Sequence, residues 1–311
     1  MTPLSANTLD RTTLHRMLNK VPEVTLYFWI IKCLCTTIGE TFSDNLTATW
    51  AGGDSAGVHA LDVASLKVML VTMGVLAILL VIQFTRRGYV AAVYWANVVV
   101  ISVVGTQITD QFEGNGDQPN HMWAITIASG TLLALAFLVW WLVERTLSMH
   151  SIRTLRREAF YWLAILVTFA TGTAVGDLIA EKFSLGYLTT LLLFVGVIAV
   201  IAAVWKFTKV NGVLAFWVAY IMTRPLGAST GDFLSQKGNQ GLNLGTSVTS
   251  YIFLATIVCL VVFLQIKKPD ITSVEVANAD AINHPHVPHP HLRHPHLPRF
   301  DAEAPPAPHE A

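Results

Sequence analysis

The stretch FWIIKCLCTTIGETFSD, residues 28–44, has the length and apolar content of a membrane helix, yet it carries Lys32, Glu40 and Asp44 among several hydroxyls. One charged side chain at the centre of a bilayer costs about 2.5–3.5 kcal/mol on insertion scales, so three on one span need an arrangement that shields them. At about 100° per residue, with Trp29 as origin, Lys32, Thr36, Glu40, Ser43 and Asp44 fall within about 60° of it. Ile31, Leu34, Ile38 and Phe42 fall on the far side. The ionisable groups therefore form one stripe.

The stripe recurs. An aromatic pair ending in Trp is followed ten residues later by Gly and fifteen later by Asp, in four gapless copies. They are Phe28-Trp29, Gly39, Asp44; Tyr94-Trp95, Gly105, Asp110; Tyr161-Trp162, Gly172, Asp177; and Phe216-Trp217, Gly227, Asp232. The tryptophans are 66, 67 and 55 residues apart, room in each unit for one marked helix, one plain apolar helix and two short loops. Units that cross twice all enter from the same side, so they are parallel repeats about an axis along the membrane normal.

The plain helices are legible as uncharged runs at 68–82, 123–143, 187–205 and 248–266, and the marked ones as 22–46, 88–112, 158–182 and 211–235. With 53% hydrophobic and 13% charged residues in 311, the chain reads as an all-α integral membrane protein of eight transmembrane helices. The four two-helix repeats span about 21–85, 86–145, 155–207 and 210–267, after an N-terminal segment 1–20 and before a disordered His/Pro-rich tail, 268–311. The first 23 residues lack the apolar core and cleavage site of a signal peptide, so the first span is expected to direct insertion.

Thirteen basic residues fall on one side of this topology, from Arg11, Arg16 and Lys20 through Arg86, Arg87 and Arg153 to Lys267 and Lys268. Only Lys182 and Lys237 fall on the other. That bias places both termini in the cytoplasm. From Arg87 to Asp110 is about 34 Å of helix at 1.5 Å per residue, which puts the aspartates near the extracytoplasmic end.

Four polar stripes cannot face lipid cheaply, so the marked helices are expected to turn inward and the plain ones to form the outer ring. The second stripe is Trp95, Val98, Ser102, Thr106, Thr109 and Asp110, and the third is Trp162, Ile165, Phe169, Thr173, Gly176 and Asp177. The fourth is Trp217, Tyr220, Arg224, Ala228, Gly231 and Asp232. Gly39, Gly105, Gly172 and Gly227 flank the stripes as close-packing positions. A ring of carboxylates at one mouth is a cation-selecting device. Lys32 and Glu40 are two turns apart and could instead neutralise each other, and Pro225, beside Arg224, should kink the seventh helix and free a carbonyl. The tryptophans read as packing or interfacial anchors.

Net charge is zero, which gives no bulk attraction to nucleic acid. Cys33, Cys35 and Cys259 all fall within spans; Cys33 and Cys35, two apart on a helix, point in different directions and make a poor thiolate pair. No histidine lies in a span, and neither a phosphate-cradling G-x-x-x-x-G-K-S/T nor H-E-x-x-H occurs, so haem, nucleotide-driven and zincin chemistry lack support. In the tail, His284, His286, His289, His291, His294 and His296 stand in regular His-Pro-His triplets, a pattern able to chelate a divalent metal.

At KVPEVTLYFWIIKCLCTTIGETFSDNL, repeated more loosely by RRGYVAAVYWANVVVISVVGTQITDQF, RREAFYWLAILVTFATGTAVGDL and GVLAFWVAYIMTRPLGASTGDF, the chain resembles the uncharacterised bacterial membrane-anchored proteins built from copies of a repeat of unknown function. The resemblance covers about residues 20–266 and implies a multi-pass protein of the bacterial cytoplasmic (inner) membrane. It supplies no catalytic residues.

From the stripes, the expected function is a secondary transporter or exporter of a cation, with a divalent metal as the leading candidate, coupled to protons. Asp44, Asp110, Asp177 and Asp232 would supply oxygen ligands or the outer gate, and Glu40 the proton-coupled group. Lys32 or Arg224 would be the internal counter-charge, with Thr36, Ser102, Thr106 and Thr173 along the path. Two alternatives stand beside it. One is a membrane-anchored metal sensor or scaffold. The other is an intramembrane aspartyl hydrolase using Gly176-Asp177 and Gly231-Asp232, although the fuller G-x-G-D pattern is broken by Ala174 and Ser229. The expected partners are the lipid bilayer and the cation.

Overall fold

The computed structural model describes residues 19–51, 63–113, 119–149, 152–237 and 241–270. The tail histidines lie outside the described residues. The described chain forms eight α-helices and no strand: α1 Leu26–Ala51, α2 Val63–Thr85, α3 Ala91–Glu113, α4 Pro119–Glu144, α5 Leu155–Asp177, α6 Tyr187–Phe207, α7 Gly212–Ser235 and α8 Thr246–Lys267. Helix is the local solution because it satisfies every backbone group within the segment, which hydrocarbon demands. Six helices, α2 to α6 and α8, are long and apolar enough to cross a membrane. The other two, α1 and α7, have 26 and 24 residues and so the length, but they carry the charges.

Boundaries follow local chemistry. Thr154 caps α5 by accepting from the Arg157 N–H at 3.3 Å, and Asn211 caps α7 through the Val213 N–H at 2.8 Å. Past Asp177, α5 widens into a π-helical turn, Leu178–Lys182. The first helix runs further than its expected end at 46, since Thr47 donates back to the Ser43 carbonyl and Asn45 bonds Ser247 of α8. Pro225 sits inside α7, which continues through it.

The marked helices α1, α3, α5 and α7 pack around a common axis, each against the next, with α7 returning to α1. Two thirds of the apolar windows of α3 and α5 are buried, against 6–28% in α2, α4, α6 and α8, which makes the plain helices the outer layer. Each outer helix packs chiefly on the marked helix of the following unit, α2 on α3, α4 on α5, α6 on α7 and α8 back on α1.

Ile31 and Ile38, on the face of α1 away from its polar stripe, are buried, because α2, α3, α7 and α8 pack around that helix. Cys35 is buried for the same reason.

At the end of the bundle where α1 begins, Lys20 donates to Glu158 Oε2 at 2.7 Å and to the Phe84 carbonyl at 3.1 Å, and Gln83 donates to Glu158 Oε1 at 3.0 Å. Lys20, read from sequence as a loop charge, is thus a buried strut.

Candidate functional site

The repeat spacing places equivalent residues of the four marked helices in layers along the axis. The first layer is aromatic and cyclic. Phe28 meets Trp95 at 5.6 Å between ring centroids, Tyr94 meets Trp162 at 5.5 Å, Tyr161 meets Trp217 at 6.1 Å and Phe216 meets Trp29 at 5.8 Å. The aromatic residue before each Trp therefore touches the Trp of the next marked helix. Such pairs add about 0.5–1.5 kcal/mol each beyond area burial, so the tryptophans act in packing. Tyr94 and Tyr161 join their hydroxyls at 2.6 Å in the same layer.

One turn deeper lie Lys32, Val98, Ile165 and Tyr220, all fully buried. Lys32 Nζ stands 3.8 Å from the Phe169 ring centroid and 4.0 Å from that of Tyr220, and has no hydrogen-bond partner among the described residues. Cation–π contact returns about 2 kcal/mol when desolvated, against several kcal/mol to bury an ion, so a charge on Lys32 would be under-compensated there.

The next layer is Thr36, Ser102, Phe169 and Arg224, each three residues before its own unit's glycine. It is also cyclic. A Cβ added at Gly39 would strike Ser102, one at Gly105 would lie 2.6 Å from the Phe169 Cβ, one at Gly172 2.5 Å from the Arg224 Cβ, and one at Gly227 would strike Thr36. All four glycines are therefore obligatory at these crossings, as their place beside the stripes implied. The absence of a side chain in one helix makes the socket for the functional side chain of its neighbour.

Arg224 crosses the axis from this layer to the one below, which holds Glu40, Thr106, Thr173 and Ala228. Its guanidinium donates to Glu40 Oε2 at 2.8 Å, to the Thr36 carbonyl at 3.1 Å and to the Thr106 hydroxyl. The Lys32–Glu40 pairing open from sequence is thus replaced by Glu40–Arg224, because α7 packs directly on α1 and brings the guanidinium to the carboxylate. The hydroxyls of Thr36, Thr106 and Thr173 donate to carbonyls of their own helices, which fixes them with lone pairs available to the interior.

The four aspartates lie at the far end with unequal burial: Asp110 is exposed, Asp44 and Asp177 are half-buried, and Asp232 is buried. Asp44 accepts from Gln236 at 3.3 Å. Among the described residues no group of three or more His, Cys, Asp or Glu side chains could hold a metal ion, so the acids do not converge on one site. They line a rim. Cys33 and Cys35 are free thiols.

The repeated motif and the sequence stripes together named every residue in these layers. What they missed was the role of Phe169 and Tyr220 as the aromatic faces beneath Lys32, which requires α5 and α7 to be placed relative to α1.

Long apolar helices around a charged interior define the class: a multi-helix membrane protein built from repeated units. The family model described as Repeat of Unknown Function (DUF347) matches residues 27–89, 160–211 and 215–268, more than half of the chain, and the chain belongs to this family. These segments correspond to the first, third and fourth units. The marked helix of the second lies outside them, although Trp95, Ser102 and Gly105 take their places in the aromatic and glycine layers. No curated protein and no solved structure matches the chain.

Proposed function

We propose that all eight helices span a bacterial cytoplasmic membrane with both termini on the cytoplasmic side, and that the protein is a proton-coupled secondary transporter or exporter of a cation, with a divalent metal as the leading candidate. The observation that carries this reading is the buried triad of Lys32, Glu40 and Arg224 on the axis of the marked helices. Ionisable groups at such depth are expensive and characteristically serve ion or proton movement.

The triad sets two basic side chains and one carboxylate on the axis, with Glu40 held by the Arg224 guanidinium and Lys32 against two aromatic rings. In this reading Glu40 is the proton-coupled group, Lys32 or Arg224 its counter-charge, and the cation passes Glu40 and the threonine oxygens. The aspartate rim gathers cations electrostatically at the outer mouth without sequestering them. Aromatic rings and the Arg224 guanidinium fill the axis, which suits alternating exposure better than a standing pore.

The test is metal content and growth of a strain lacking the protein, complemented by the wild type or by a variant with Asp→Asn at 44, 110, 177 and 232, across Mn, Zn, Co, Ni and Cu. The wild type should change the cellular content of at least one metal, and the quadruple variant should not. Equal content in all strains for every metal rejects the proposal. Removal of residues 271–311 separates a transporter, which keeps flux, from a metal sensor, which loses its whole response.

A further inference from the structure

The outside of the ring carries a feature that the central site does not use. Packed on α7, helix α6 leans toward α1 without extended contact, and the space between them is a groove of about 660 Å³. Its floor is Trp29 and Phe216, and its wall is Ile198, Ile201 and Trp205. The volume arises from small side chains where larger ones would close the helices together: Ala202 on α6, and Gly212, Ala215 and Ala219 on α7.

The groove is polar at one end only. Thr25 and Asn211 lie where α1 and α7 begin and α6 ends, so the polar end coincides with one end of the bundle. The last turn of α6 carries Lys206 and the connection to α7 carries Lys209, both exposed and with no acid between them. Lys20, another cation at this end, is already committed to Glu158. In the lining, Leu26 is an exposed apolar side chain, and Val204 of α6 and Leu214 of α7 are exposed as on a hydrocarbon-facing surface. An occupant therefore needs an apolar part at membrane depth and a negative group at the rim.

We propose that this groove binds an acyl chain of an anionic phospholipid, with its phosphate among Lys206, Lys209 and Asn211. The apolar lining takes the chain, and the two lysines select the headgroup charge, since each basic residue near an anionic surface adds to the attraction. The site rests on the membrane reading of the chain and is independent of transport.

The experiment is native mass spectrometry and thermal unfolding of the full chain in detergent, after addition of phosphatidylglycerol or phosphatidylcholine. The wild type should retain one phosphatidylglycerol in preference to phosphatidylcholine and unfold at higher temperature with it. Ala202→Trp, which fills the groove from an exposed position, should lose both effects. Lys206→Gln with Lys209→Gln should keep lipid but lose the preference, and since both lysines are exposed this variant tests the proposal even where Ala202→Trp does not fold. Equal retention of the two lipids by the wild type overturns the proposal, as does undiminished retention by Ala202→Trp or an unchanged preference in the double lysine variant. None of these outcomes bears on metal content in the complemented strains.

Discussion

Glu40 and Arg224 show how one residue's meaning depends on its partner. The guanidinium is fully buried and its charge is met by one carboxylate at 2.8 Å. Removing one member of a buried pair strands the other, at a cost of about 3–5 kcal/mol, whereas replacing both by apolar groups of similar volume is often close to neutral. Glu40→Gln should therefore lower the unfolding temperature strongly, and Glu40→Gln with Arg224→Leu should recover part of the loss. A double variant as unstable as the sum of the two single ones would show that the pair is not coupled. Sequence placed Lys32, Glu40 and Arg224 on inward stripes but left the pairing open, because pairing depends on which helices are neighbours.

At the scale of the helix, the glycines decide how closely the marked helices approach. Gly105 faces the Phe169 Cβ at 2.6 Å from where its own Cβ would stand, and that atom is fixed to the backbone of α5. Gly105→Ala should destabilise by about 1–3 kcal/mol through overpacking. Gly130 in α4 meets nothing within 4 Å, so Gly130→Ala should be neutral or gain up to about 1 kcal/mol from helix propensity. Thermal unfolding of the two variants in one detergent checks the contrast; equal shifts would place both glycines on an open surface. The Trp, Gly and Asp spacing made the inner faces legible from the sequence alone. The offset of each outer helix onto the next unit was not legible, because four interchangeable apolar runs carry no record of which stripe they cover.

For the molecule as a whole, the ring closes where α7 returns to α1, and α8 with the residues that follow it fastens the last unit to the first. Ser250 bonds Thr41, the Glu23 N–H donates to the Asp270 carbonyl at 3.0 Å, and the Tyr89 hydroxyl donates to the Asp270 carboxylate at 2.5 Å. Burial pushes the Asp270 carboxyl above the usual carboxylate range, with the Tyr89 hydrogen bond working against that shift, and burial likewise raises the Tyr89 hydroxyl. The folded protein then holds a proton at Asp270 to higher pH than the unfolded chain does. The resulting stability is complete below the ordinary aspartate value near about 3.9 and is lost as pH rises through the folded value. Thermal unfolding from about pH 8 to about pH 4 should show the wild type gaining on Asp270→Asn as pH falls. A constant difference between the two would mean that the carboxyl is not raised.

The sequence by itself determined the membrane character, the helical composition and which face of each marked helix meets the axis, since those follow from local hydropathy and a spacing repeated four times. Only the tertiary structure decided that Arg224 takes Glu40, that Lys32 is left against two aromatic rings, and that α8 packs back on α1. Those outcomes depend on contacts between residues as many as 209 positions apart, and the physical reason they escape the sequence is that distance along the chain says nothing about which of several similar helices will be adjacent in space.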